Sequence, residues 1–288
     1  MTVVFRFRMA AVLAAGWLAT GCVTSRTTTN EGAGLPPGGT GAGAQQASRD
    51  RNTSPTSSGT TEQEEIRRRA GIRLELAATH YQQQNFVLAL QEADQAVKLD
   101  SGFSAAYGML GLIHMAIGDR AMADENFNRA ISLDPKDAEL NNNYGWYLCQ
   151  TGRQKESIGY FNRALEDRLY PTPAKPLHNA GICALQTGDE AGAENYFLRS
   201  FQIDPANAFA MYNLAQLYLT RRNLERAKFY SERLMSTYQA NSETLWLALR
   251  VARAAGDQDR TAQLASQLRQ RFPRSREAEL LQRGAFGD

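Results

Sequence analysis

Tyr107…Leu110-Gly111…Gly118-Asp119…Ala123…Phe127…Ala130…Leu133-Asp134-Pro135 is the stretch that decides the fold. It returns as Tyr144-Gly145…Gly152…Phe161…Ala164, and again as Ala180-Gly181…Gly188-Asp189…Ala193…Phe197…Ile203-Asp204-Pro205. Weaker copies start at Ala70, Ala208 and Ser242, the last carrying Gly256-Asp257 and closing with Pro273. The six starts, near 70, 104, 138, 174, 208 and 242, are thirty-four residues apart except between the third and fourth, where the period is thirty-six.

The spacing has a physical reason. Small residues at positions 8 and 20 of each unit let two helices approach closely, and bulky residues near positions 7, 11, 17 and 24 fill the space around that contact. Gly-Asp at positions 15 and 16 ends one helix and caps the next. Asp-Pro at positions 31 and 32 stops the second helix, because the residue before proline is pushed out of α geometry. This is the tetratricopeptide pattern. A single unit cannot bury its apolar face, so the repeats must stack. The fold class expected is all-α: a right-handed superhelical solenoid of six tetratricopeptide repeats plus a C-terminal capping helix, with a concave groove that binds segments of other proteins.

Residues 1–21 read as a lipoprotein signal peptide. Arg6 and Arg8 form a basic start, and Met9 to Ala19 an apolar run too short to span a membrane. The run ends at Leu18-Ala19-Thr20-Gly21-Cys22, which resembles the bacterial lipoprotein cleavage site. Ala19 stands where leucine is usual, but Thr20 and Gly21 are the small residues that the peptidase requires. That resemblance implies lipidation of Cys22 and anchoring by several acyl chains. Val23 replaces the aspartate of an inner-membrane retention signal, so the expected location is the periplasmic face of the outer membrane. Residues 22–60 comprise this cysteine and a Ser/Thr/Gly-rich tether that cannot bury enough apolar surface to become ordered. Such a chain spans roughly 35 Å. The repeat domain then covers 61–288, beginning with the capping box Thr61-Glu62-Gln63-Glu64 and with Glu64/Arg68 and Glu65/Arg69 pairs four residues apart.

A net charge of +2 does not suggest nucleic-acid binding. Arg269, Arg271, Arg274, Arg276 and Arg283 gather near the end and read as the solvated face of a capping helix. Cys149 and Cys183 fall at positions 12 and 10 of neighbouring first helices, on either side of the proline-rich joint Tyr170–Pro176. In a periplasmic protein they are expected to form a disulfide. Closing that loop would stabilise the fold by roughly 3–4 kcal/mol; two buried free thiols are the alternative.

Catalytic and metal constellations are absent from the pattern. His80 and His114 share repeat position 11, a core-lining site, and His178 has no ligand-spaced partner. There is no phosphate loop, nucleophile elbow or HExxH, so neither enzyme activity nor a cofactor is expected. Asn143, Asn179 and Asn213 at position 6 read as backbone-bracketing residues, because the basic partners of a carboxylate clamp are missing. The partner-binding groove is expected along positions 5, 9 and 12 of the first helices. Leu74, Ala78, Tyr81, Gly108, Leu112 and Met115 occupy these in the first two repeats, and Trp146 continues the stripe.

Two segments go beyond generic repeats. Asn141-Asn142-Asn143-Tyr144-Gly145-Trp146-Tyr147-Leu148-Cys149-Gln150-Thr151-Gly152-Arg153 resembles a stretch of the type IV pilus biogenesis lipoproteins, the pilotins of the pilus secretin. So does Leu177-His178-Asn179-Ala180-Gly181-Ile182-Cys183-Ala184-Leu185. The cleavage site, six repeats, cysteine pair and the ending Arg271-Phe272-Pro273-Arg274 extend the likeness outside the tether. It implies a lipoprotein, monomeric apart from its partner, that binds the type IV pilus secretin subunit and promotes its outer-membrane localisation and multimerisation. The rival readings are a scaffold lipoprotein of outer-membrane β-barrel assembly and an adaptor for cell-wall hydrolases.

Overall fold

The computed structural model describes residues 61–286, so the signal segment, Cys22 and the tether lie outside the described residues. The described part is helical throughout. Six helix pairs follow one another: α1 (Glu62–Gln82) with α2 (Phe86–Leu99), α3 (Ser104–Ile117) with α4 (Arg120–Leu133), α5 (Ala138–Gln150) with α6 (Gln154–Ala164), α7 (Ala174–Gln186) with α8 (Glu190–Ile203), α9 (Ala208–Thr220) with α10 (Leu224–Thr237), and α11 (Ser242–Ala254) with α12 (Gln258–Arg271). The short α13 (Arg276–Gln282) packs on α11 and α12. Each second helix packs on the first helix of the next repeat, which makes the pairs a solenoid.

The contact between the two helices of a repeat rests on complementary volumes. In the second, third and fourth repeats a buried glycine at position 8 faces a fully buried phenylalanine at position 24. A Cβ added to Gly111 would lie 2.8 Å from the Phe127 ring, one on Gly145 2.9 Å from Phe161, and one on Gly181 would overlap Phe197. Where position 8 is larger, position 24 is smaller: Ala77 faces Ala93, Ala215 faces Ser231, and Leu249 faces Ala265, all buried. No repeat places two bulky side chains at this contact, as close packing of the helices requires.

The turn inside each repeat follows one rule. Position 15 has positive φ in all six: Gln84, Gly118, Gly152, Gly188, Arg222 and Gly256, between 57° and 92°. This left-handed residue lets the next amide donate back to the carbonyl of position 11, at 2.8–3.0 Å, as in Asp119 N–H to His114 O and Asn223 N–H to Tyr218 O. The side chain at position 16 then caps the second helix in five repeats, through Asn85, Asp119, Asp189, Asn223 and Asp257. Arg153 makes no such cap; it pairs instead with Asp124 at 3.0 Å and Glu156 at 2.7 Å.

The capping box at Thr61 forms, starting α1 eight residues before the repeat proper. It also alters the expected charge pairs. The Glu64 carboxylate accepts the Thr61 amide at 2.6 Å, and Arg68 pairs with Glu65 at 2.7 Å, three residues away.

Two substitutions separate these constraints. Gly181→Ala is expected to destabilise the domain by about 1–3 kcal/mol, because Phe197 has no room to retreat. Arg222→Gly is expected to stabilise it by about 0.5–1 kcal/mol by relieving a left-handed non-glycine residue. Urea unfolding measures both; equal stabilities would contradict the packing account.

Candidate partner-binding groove

Each first helix has three faces, and α11 shows them plainly. Leu245, Leu249 and Ala252 pack with Leu264, Ala265 and Leu268 of α12. Leu247 and Val251 enter the core of the fifth repeat, beside Met211, Leu214 and Tyr218. Trp246, Arg250 and Arg253, spaced four and three apart, form the remaining face. These are repeat positions 5, 9 and 12, and the equivalent faces of the six first helices line the groove.

In the first three repeats this lining is apolar but only half open. Leu74, Tyr81, Leu112, Met115 and Trp146 are all half-buried. Tyr81 lies edge-on to Phe86, ring centroids 5.8 Å apart, and packs on Ala77 and Ala89. Leu112 and Met115 pack against the cluster that contains Phe127 and Tyr147, and Trp146 against the one that contains Cys149, Phe161 and Cys183. Gly108 offers no open surface: it is buried, and a Cβ there would overlap Leu140 of the next first helix.

The middle of the groove is polar. The Asn179 amide donates to Asn142 Oδ1 at 2.9 Å, and Asn142 donates to Asn143 Oδ1 at 3.1 Å. Asn143 in turn bonds Glu139, which also accepts from Tyr170 Oη at 2.6 Å and pairs with Lys175. Burial pushes the Glu139 carboxyl up, and Lys175 with the two hydrogen bonds outweighs this, leaving it below the ordinary carboxylate value. Asn143 and Asn179 therefore bond side chains rather than bracket backbone. Bracketing falls to Asn141, whose amide donates to Pro135 O at 2.9 Å and Asp137 O at 2.8 Å, while Asn213 bonds only its own helix at Phe209 O. Cys149 and Cys183 are joined across the same α5–α7 contact, their Cα atoms 5.8 Å apart.

The last two repeats restore aromatic character. Phe209, at position 2, is 57% exposed and lies 5.2 Å from the His178 ring. Tyr212 and Trp246 follow at position 5. The stripe expected from sequence stopped at Trp146; aromatic residues at positions 2 and 5 of the weaker fifth and sixth copies were the signal for its continuation. Among the described residues no group of three His, Cys, Asp or Glu side chains could hold a metal ion, and no helix is long and apolar enough to cross a membrane.

His178 also sits 6.0 Å from Phe197, its Nδ1 shielded and without a hydrogen-bond partner. Desolvation lowers its pKa to about 4. An unfolded imidazole titrates near 6.5, so from there down to about 4 only the unfolded chain takes up this proton. The stability held by the neutral ring is complete above about pH 6.5, declines as the pH falls, and is gone below about 4. The loss amounts to at most about 3 kcal/mol. His178→Phe removes this dependence, so the stability of the variant relative to the parent is expected to rise between pH 7 and pH 4. A constant difference in unfolding free energy would show that His178 titrates normally.

The fold and its groove define a tetratricopeptide-repeat scaffold, and the tetratricopeptide-repeat profile matches residues 109–172, 174–207 and 196–229. The chain is 27% identical over 209 residues to the type IV pilus assembly protein PilF of Pseudomonas aeruginosa, covering 73% of this chain and 83% of that one. The crystal structure of PilW, a widely conserved type IV pilus biogenesis factor, superposes with a TM-score of 0.69 at 31% identity, over 74% of this chain and 97% of PilW. The solved structure of Pseudomonas aeruginosa PilF shares the fold, with a TM-score of 0.69 at 24% identity over 76% of this chain and 99% of PilF. This chain belongs to the family of tetratricopeptide-repeat type IV pilus biogenesis factors.

Proposed function

We propose that this protein is an outer-membrane lipoprotein that binds the type IV pilus secretin subunit and promotes its localisation and multimerisation. The observation that carries the reading is family membership: nearly the whole length of PilW, a pilus biogenesis factor, is matched by the repeat domain. The leader ending at Cys22 supplies the anchor in this reading, and periplasmic export supplies the oxidising setting for the Cys149–Cys183 bond. The protein acts as a scaffold. Its half-open apolar lining, with aromatic anchors and the adaptable Met115, suits an apolar segment of the secretin.

Affinity capture from detergent-solubilised envelope is expected to recover the secretin, and deletion of the gene to abolish pili and surface motility while other outer-membrane barrels persist. Leu112→Glu and Trp146→Ala are expected to weaken secretin capture by about thirtyfold, the scale of an interface anchor. Both side chains also touch the core, so circular dichroism is recorded alongside. Normal secretin multimers in both variants would remove the site from the first three repeats, and capture of barrel-assembly components or hydrolases instead of secretin would defeat the reading.

Cys22→Ala is expected to abolish palmitate incorporation and outer-membrane residence while the solenoid remains folded. Absence of label from the parent protein would refute lipid anchoring.

A further inference from the structure

Position 5 of a first helix is normally covered by the next repeat: Leu140 covers Gly108, Asn179 meets Asn142, and Phe209 lies against His178. Among the described residues, no seventh repeat follows the sixth. Its buried edge is closed by α13, through Ala278 and Leu281. Its groove face is covered differently. After α13 the chain reverses at Gly284, φ 62°, with the Ala285 amide donating to Leu280 O at 2.9 Å. This brings the Phe286 ring onto Trp246, centroids 5.3 Å apart and planes within 14°. The Arg253 guanidinium carbon lies over the same ring, 3.7 Å from its centroid.

Trp246 and Arg253 are positions 5 and 12 of the groove face described above, and where earlier repeats are covered by a following helix, here a single aromatic side chain from a short segment covers them. The contact selects for an aromatic ring. A flat indole stacks on a π face, and a guanidinium is drawn to the negative ring centre, which an aliphatic side chain lacks. The ring follows the turn at Gly284 by two residues. It is placed by a short segment after α13, not by a helix.

We propose that the Trp246–Arg253 face is an acceptor for an aromatic side chain of a partner protein segment, and that Phe286 fills it in the free chain and is exchanged for the partner's ring. The proposal is independent of which protein is bound. In the full chain carrying Phe286→Ala, a synthetic peptide with the sequence of residues 281–288, Leu-Gln-Arg-Gly-Ala-Phe-Gly-Asp, is titrated to millimolar concentration while the Trp246 indole signal is followed by NMR. A saturable shift is expected, at least about tenfold weaker in the parent, whose own tail competes at a high effective concentration. The peptide with alanine in place of phenylalanine is expected to give no shift, and Arg253→Gln in the Phe286→Ala chain to weaken binding several-fold. If Phe286→Ala disturbs the fold by circular dichroism, Phe286→Leu replaces it, keeping apolar cover without the π face. No shift, an equal shift from the alanine peptide, or equal affinities in parent and variant would overturn the proposal. So would a parent dimer that Phe286→Ala dissociates, because the exchanging ring would then be that of a second copy.

Discussion

The distance between the two helices of a repeat governs everything built on them, and it is set by one pair of facing side chains. Gly111, Gly145 and Gly181 each meet a phenylalanine ring with no space for another carbon. The pairs Ala77–Ala93, Ala215–Ser231 and Leu249–Ala265 take the same two positions in the other repeats, all buried. Because each second helix packs on the next first helix, an error in this distance would propagate along the stack and misalign the groove. What the six repeats share is that at most one bulky side chain enters the contact.

The groove inherits its character from what the stacking leaves over. Two faces of each first helix are consumed by the core, and the third is partly roofed by the following repeat. Leu112, Met115 and Trp146 are therefore lining and packing residues at once, and a partner resting on them touches the outer surface of the core itself. The polar middle, where Asn179, Asn142, Asn143 and Glu139 are linked in series, separates this region from the aromatic residues of the last repeats. A bound segment that followed the whole groove would meet apolar, then polar, then aromatic surface.

The features visible in sequence were those fixed by near neighbours in the chain. The starts at 104, 138, 174, 208 and 242 coincide with the first residues of α3, α5, α7, α9 and α11, because caps, left-handed turns and Asp-Pro stops act over a few residues. The residues misread were those whose surroundings come from another repeat. Gly108 lies on the correct helical face, yet Leu140 covers it. Asn143 and Asn179 sit where bracketing asparagines belong, but their neighbours are side chains across α5 and α7. The capping box at Thr61 forms as its sequence indicates, and because it engages Glu64, the Glu64–Arg68 pair does not form. Gln84 and Arg222 concealed two left-handed turns that glycine would have marked.

The joint between the third and fourth repeats is the one place where the period lengthens, and it carries the Cys149–Cys183 bond, the Asn179–Asn142 bond and the Glu139 network together. A solenoid held by nearest-neighbour contacts behaves as a row of springs in series, yielding first at its softest link. Crosslinking the irregular link removes the obvious candidate. Tension applied between the two ends would then open the terminal repeats before the centre, leaving α5 to α8 as the last segment to lose its shape.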